Sequence, residues 1–180
     1  MKVITAPNKY EIQDNEISLF LAGGITNCSD WQTDIIDRLD YELGNNDLII
    51  FNPRRKNFPI HKPSAAYEQI EWEFDNLNRM DIFSMYFCSG DSDQPICLYE
   101  LGRYIAKMQI RFPIDWENRI IISVEKGYKR TQDVIIQTQL ACGKKININT
   151  SQPNNDILMN YHTIAICKAY NRLKRMKIMI

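Results

Sequence analysis

Glu100 stands in the stretch YFCSGDSDQPICLYELGRYIAK (86–107), among apolar residues and just past a loop that holds Asp91 and Asp93. A glutamate at the start of a helix that should be buried is a poor choice for packing alone. Its plain role there is a cap, stabilised by unpaired N–H groups and by the positive potential of a helix amino terminus. The same field would keep the carboxylate ionised, the state a nucleophile needs. Two or three carboxylates around one cleft suit cleavage of a glycosidic bond: one attacks or stabilises the cation-like sugar carbon, and another supplies a proton. Gly102, two residues on, would remove bulk where the helix passes close to a sheet or a ligand.

Other candidate groups occur at the ends of apolar runs. In FLAGGITNCSDW (20–31), Gly23 and Gly24 follow one such run directly and precede a helix. Glycines there let the backbone turn tightly and approach a ligand, and the helix start offers N–H groups to an anion or a sugar oxygen. In FNPRR (51–55), Asn52 ends a second run, and Arg54 or Arg55 could grip a phosphate or carboxylate in a bidentate fork. YEQIEWEFDNLNRMD (67–81) carries Gln69, Glu73 and Asn76 at i, i+4 and i+7, a polar stripe beside the apolar stripe of Ile70, Phe74 and Leu77. That is the usual pattern of a surface helix, here one that leads toward the cleft mouth.

The elements that must position these groups alternate. ISLFLA (17–22), LIIF (48–51), IFSMYF (82–87), RIIISV (119–124) and KININ (145–149) read as strands, the first as a continuous apolar run buried on both faces and the second as another buried strand. Helices are expected from Ser29 or Asp30 to Gly44, near 65–79, after the 88–97 loop, over 133–141, and from about Asn155 to the end. Strands alternating with helices imply a doubly wound α/β fold of about five mainly parallel strands with helices on both faces. Ligands of such sheets bind beyond the carboxyl ends of the strands, which selects the loops 23–30, 52–63, 88–97 and 125–132.

The 180 residues suit one domain, 1–180, and the 44% apolar and 24% charged content is that of a soluble globular chain. Lysine plus arginine balance aspartate plus glutamate at 22 each, which gives no support to a nucleic-acid polymer or a membrane surface as partner. The basic stretch 168–177 reads as a solvated helix face. Five scattered cysteines (28, 88, 97, 142 and 167) suggest reduced thiols and a cytoplasmic protein, and no apolar run reaches spanning length. His61 and His162 read as surface or helix residues rather than bases. Trp31, Trp72 and Trp116 read as packing, with Trp31 close to the glycine turn. No metal or organic cofactor is implied.

Taken together, FLAGGI, NPRR, QIEWEFDNLNRMDIF and YELGRYIA, in order over about residues 17 to 125, resemble the nucleoside 2-deoxyribosyltransferase-like family. The resemblance implies a flavodoxin-like sheet and cleavage or transfer of the N-glycosidic bond of a (deoxy)nucleoside. It makes Glu100 the nucleophile that forms a covalent glycosyl intermediate. Glu73 would contact base or sugar, and Asp93, or Asp91 in its place, would handle the leaving base. Gly23 and Gly24 would line the sugar pocket, with Asn52, Arg54 and Gln69 near its rim. The alternatives are a nucleoside 5′-monophosphate or dinucleotide N-glycosidase, for which Arg54 or Arg55 would suit the phosphate, and a non-catalytic nucleotide-binding module. Self-association is expected because the family often completes its site across subunits, and because the last helix carries Ile164, Ile166, Leu173, Met176 and Ile178.

Overall fold

The computed structural model describes residues 1–44, 46–150 and 154–178. Six strands form one sheet: β1 (Lys2–Thr5), β2 (Ile17–Gly23), β3 (Leu48–Asn52), β4 (Ile82–Phe87), β5 (Ile120–Val124) and β6 (Ile148–Thr150). Every neighbouring pair is parallel, in the order β1-β3-β2-β4-β5-β6. Five α-helices connect and follow them: α1 (Trp31–Leu43), α2 (Ser64–Arg79), α3 (Pro95–Arg111), α4 (Thr131–Cys142) and α5 (Asn155–Ile178). The arrangement is the doubly wound α/β fold expected, with six strands rather than five. The additional strand, β1, lies at the sheet edge with Val3 exposed, so it lacks the apolar run that marks a strand buried on both faces.

Alternation along the strands divides the core in two. Leu19, Leu21 and Tyr86 face one side, where Trp31, Ile35 and Leu39 of α1 and Ile166 and Leu173 of α5 cover them. Phe20, Ala22, Phe83 and Met85 face the other, beneath Trp72 and Leu77 of α2, Leu101 and Tyr104 of α3 and Val134 of α4. The apolar residues of α5 are therefore divided. Ile166 and Leu173 pack on the sheet, while Ile164, Met176 and Ile178 are exposed.

His162 is not a surface residue. It is fully buried on α5 and bridges two strands: its Nε2 lies 2.7 Å from Ser84 Oγ on β4, and its Nδ1 lies 2.7 Å from Ser123 Oγ on β5. Burial lowers its pKa to about 3, so the imidazole is neutral, donating through one nitrogen and accepting through the other. Its ring meets Trp31 and Tyr86 edge-on, and those two stack at 4.9 Å. This polar and aromatic cluster lies directly behind the turn that ends β2.

Helix α2 is rotated relative to the sequence expectation. Of the expected apolar stripe only Leu77 is buried: Gln69, Trp72 and Asn76 face inward with it, whereas Tyr67, Ile70 and Phe74 are exposed. The inward amide N–H groups find partners there, although Gln69 Oε1 has none among the described residues. Gln69 Nε2 donates to the Pro53 carbonyl at 2.8 Å, and Asn76 Nδ2 donates to the Trp72 carbonyl at 2.7 Å. Trp72 supplies the apolar contact, and its Nε1 donates to Asn8 O at 2.8 Å.

Candidate active site

The chain leaves β2 toward β3 on one side and returns to β4 on the other, so the sheet order reverses between β2 and β4. The carboxyl ends of strands at such a point open a crevice. Here it is a pocket of about 290 Å3 whose walls include Gly23, Gly24, Pro53, Glu73, Gln94 and Glu100. Two segments about fifty and about seventy-six residues beyond the glycine turn in sequence thus bring their carboxylates to it, Glu73 from the middle of α2 and Glu100 from α3.

The glycine turn is required by the space around it. Gly23 has φ +151°, and a Cβ on it would lie 2.2 Å from the Tyr86 carbonyl oxygen and 2.7 Å from Trp31 Cζ2. A Cβ on Gly24 would lie 2.5 Å from both Cys28 Sγ and Gln94 Oε1. The turn is fixed from behind: Trp31 Nε1 donates to Gly24 O at 2.9 Å, and Gly24 N donates to Tyr86 O at 3.2 Å. α1 begins just beyond it, capped by Asp30, whose Oδ1 accepts from Thr33 N.

The loop after β4 is held by residues the sequence did not single out. Gln94 is buried with a left-handed backbone (φ +47°), and its side-chain amide donates to Cys88 O at 2.7 Å and accepts from Cys88 N at 3.3 Å. Glu125, at the end of β5, accepts from Ser89 N and Oγ through one oxygen and from Tyr86 OH through the other. Tyr128 OH donates to Asp93 O at 2.9 Å. A glutamine before a proline at a helix start was the only local signal for Gln94, and it is a weak one.

Glu100 is the sixth residue of α3, counting Pro95 as the first. It lies past the first turn, beyond the reach of the helix-terminal field. The expectation that this field keeps it ionised is therefore corrected. Its pKa is raised to about 8, first by burial and then by the charge of Glu73, with Arg103 opposing. Glu73 is also raised by burial, but the hydrogen bond from Gln69 Nε2 to its Oε1 (2.7 Å) and the charge of Arg55 hold it down. Glu100 therefore keeps its proton near neutral pH, in a pocket whose lining, among the described residues, has no lysine, arginine or histidine.

The other candidates fall elsewhere. Asp91 and Asp93 are exposed and lie off the pocket wall, although Ser92 between them lines it. Asn52 is buried and its Oδ1 accepts from Arg54 N, while Gln69 stands behind Glu73. Arg54 is engaged by Gln32, Ser29 O, Gly24 O and Asp30, and Arg55 by Glu68. Gly102 is exposed with open space where a Cβ would stand, so it serves no close approach. Among the described residues, no group of three or more histidine, cysteine or acidic side chains could hold a metal ion, and no helix is long and apolar enough to cross a membrane.

The model of a family described as nucleoside 2-deoxyribosyltransferase-like matches residues 16–112, from the start of β2 to the end of α3. The chain belongs to this family. Membership points to an enzyme of the nucleoside deoxyribosyltransferase type, acting in nucleoside glycosyl transfer. No curated protein matches the chain.

The native state retains on Glu100 a proton that a free glutamate releases near pH 4.5, so this group's contribution to stability is full below about 4.5 and is lost as pH rises through about 8. Glu73→Gln removes the neighbouring charge but not the burial. The Glu100 midpoint, followed by carboxyl-carbon NMR, should fall in that variant yet stay above 4.5. An unchanged midpoint would mean that the two groups do not interact.

Proposed function

We propose that the pocket cleaves the N-glycosidic bond of a (deoxy)nucleoside, with Glu100 as nucleophile and Glu73 as its acid–base partner. The observation that carries this reading is the meeting of Glu73 and Glu100 on one pocket wall beside the Gly23–Gly24 turn. In the reactive form, Glu100 is ionised and the pair's proton resides on Glu73, whose Oε1 is already occupied by Gln69. The Glu100 carboxylate oxygen bonds to the anomeric carbon as the carbon–nitrogen bond breaks. The bonding pair leaves with the base, which takes the proton from Glu73. A second base or water, giving up a proton to Glu73, then attacks the anomeric carbon and frees the Glu100 carboxylate. Proton handling falls to Glu73 rather than to Asp91 or Asp93 because those two are exposed and lie off the wall.

The charge of the lining favours a neutral nucleoside over a 5′-monophosphate. Among the described residues no cation lines the pocket, and the two arginines that could meet a phosphate are committed to Asp30, Gln32 and Glu68. A phosphate would enter beside two carboxylates, and the nearby Arg55 and Arg103 charges already act on those carboxylates.

Incubation with a panel of nucleosides and their 5′-monophosphates, with and without an acceptor base, should release base from the nucleosides only. Glu100→Ala and Glu100→Gln should each lower that rate by about a thousandfold or more, on the order of 4 kcal/mol of barrier, with circular dichroism unchanged. Near-normal turnover by Glu100→Ala would end this assignment. Inactivity of the wild type on every compound would favour a binding module.

We also propose self-association through the exposed apolar side chains beside the pocket mouth, Tyr67, Ile70 and Phe74 on α2 with Ile96 and Tyr99 on α3. Ile96 both lines the pocket and is 64% exposed, so a second copy seated there would shield the site from water. Light scattering should give a dimer or larger assembly at micromolar concentration, and a monomer would contradict the proposal.

A further inference from the structure

A second cleft, of about 530 Å3, runs between the amino-terminal half of β5, the entry to β6 and the carboxyl-terminal half of α5. It lies at the opposite end of the parallel strands from the carboxylate pocket. Lys168, Arg172 and Arg175 line it at i, i+4 and i+7 of α5, so they share one face of the helix. None of the three takes part in an ion pair or a hydrogen bond among the described residues. The acidic residue on the wall, Glu117, is paired with Lys144 at 2.5 Å. The chain as a whole is neutral, so this concentration of positive charge is local. A favourable interaction with the helix carboxyl terminus accounts for Arg175, in the last turn, but not for Lys168, which lies beyond that reach.

The remaining walls are of two kinds. Ile121, Ala165 and Ala169 form an apolar floor, the two alanines leaving room above the helix. Asn118, Asn147 and Asn171 bring side-chain amides, each able to donate and accept, as the edge of a heterocyclic base requires. The cationic stripe spans seven residues of helix, about 10 Å at the helical rise. That is longer than one phosphate and suits two in line. We propose that this cleft is a binding site for a nucleoside diphosphate, its phosphates on Lys168, Arg172 and Arg175 and its base over the apolar floor against the asparagine amides. A small ligand is favoured over a nucleic-acid strand because the cations are confined to one cleft of a neutral protein, within the size range of small-molecule sites.

The test is calorimetric titration of the full chain with ADP, CDP, pyrophosphate and a single-stranded oligonucleotide at physiological salt. At least one of the two diphosphates should bind at one per chain, more tightly than pyrophosphate. Arg172→Gln/Arg175→Gln, at two exposed positions, should weaken that binding tenfold or more with an unchanged melting temperature. Glu100→Ala should bind as the wild type does, which separates this cleft from the carboxylate pocket. Equal affinity of the double variant and the wild type would overturn the proposal, as would no binding of any diphosphate. Binding of the oligonucleotide alone would overturn it in favour of a polymer.

Discussion

Two half-buried carboxylates that share a pocket oppose each other's ionisation, and among the described residues the Glu73–Glu100 pocket has no cation in its lining. That constraint governs what the site can do. It keeps a proton in the pocket at the pH where a glycosidic bond would need both an ionised nucleophile and an acid. It also makes an anionic substrate unwelcome. Gln69 makes the pair unequal, because its amide stabilises the charge on Glu73 and leaves Glu100 the weaker acid. Function would then depend on a proton exchange inside a pair rather than on one permanently ionised group.

The fold keeps the pair together by placing both carboxylates on helices packed over the same face of the sheet. α2 is anchored by Trp72 and α3 by Leu101 and Tyr104, so neither wall depends on a loop. The opposing wall is a glycine turn with no room for a Cβ, and its rigidity comes from the other face of the sheet. Trp31 and Tyr86 press on it, and neutral His162 ties β4 to β5 behind them. A buried imidazole with both nitrogens bonded is well suited to this task, since neither nitrogen is left without a partner.

The sequence made the sheet legible where strands are buried on both faces, because 17–22, 48–51 and 82–87 can hardly be anything else. The edge strand β1 was missed, being short and half exposed, and β6 is shorter than KININ suggested. The glycine turn and the two glutamates were legible as residue types at the ends of elements. Their electrostatics were not. Whether Glu100 stands in the first or second turn changes its state from held ionised to held protonated, and one residue pattern is compatible with both. The orientation of α2 was hidden for a related reason. Polar stripes face water by default, and only the partners of Gln69 and Asn76, distant in sequence or on the helix backbone, reveal that this one faces inward. Gln94 carries only a weak signature, and His162 none, because their roles depend on what packs around them.

The central claim is that Glu100 becomes covalently attached to the sugar. Its most direct test is mass spectrometry of peptides from wild-type protein quenched rapidly during turnover of its best nucleoside, with Glu73→Gln used to slow the release step. The account predicts the mass of one glycosyl group on the peptide that contains Glu100, and none in Glu100→Gln. The same adduct on a peptide carrying Asp91 or Asp93 but not Glu100, or base release by Glu100→Gln at the wild-type rate, would contradict it.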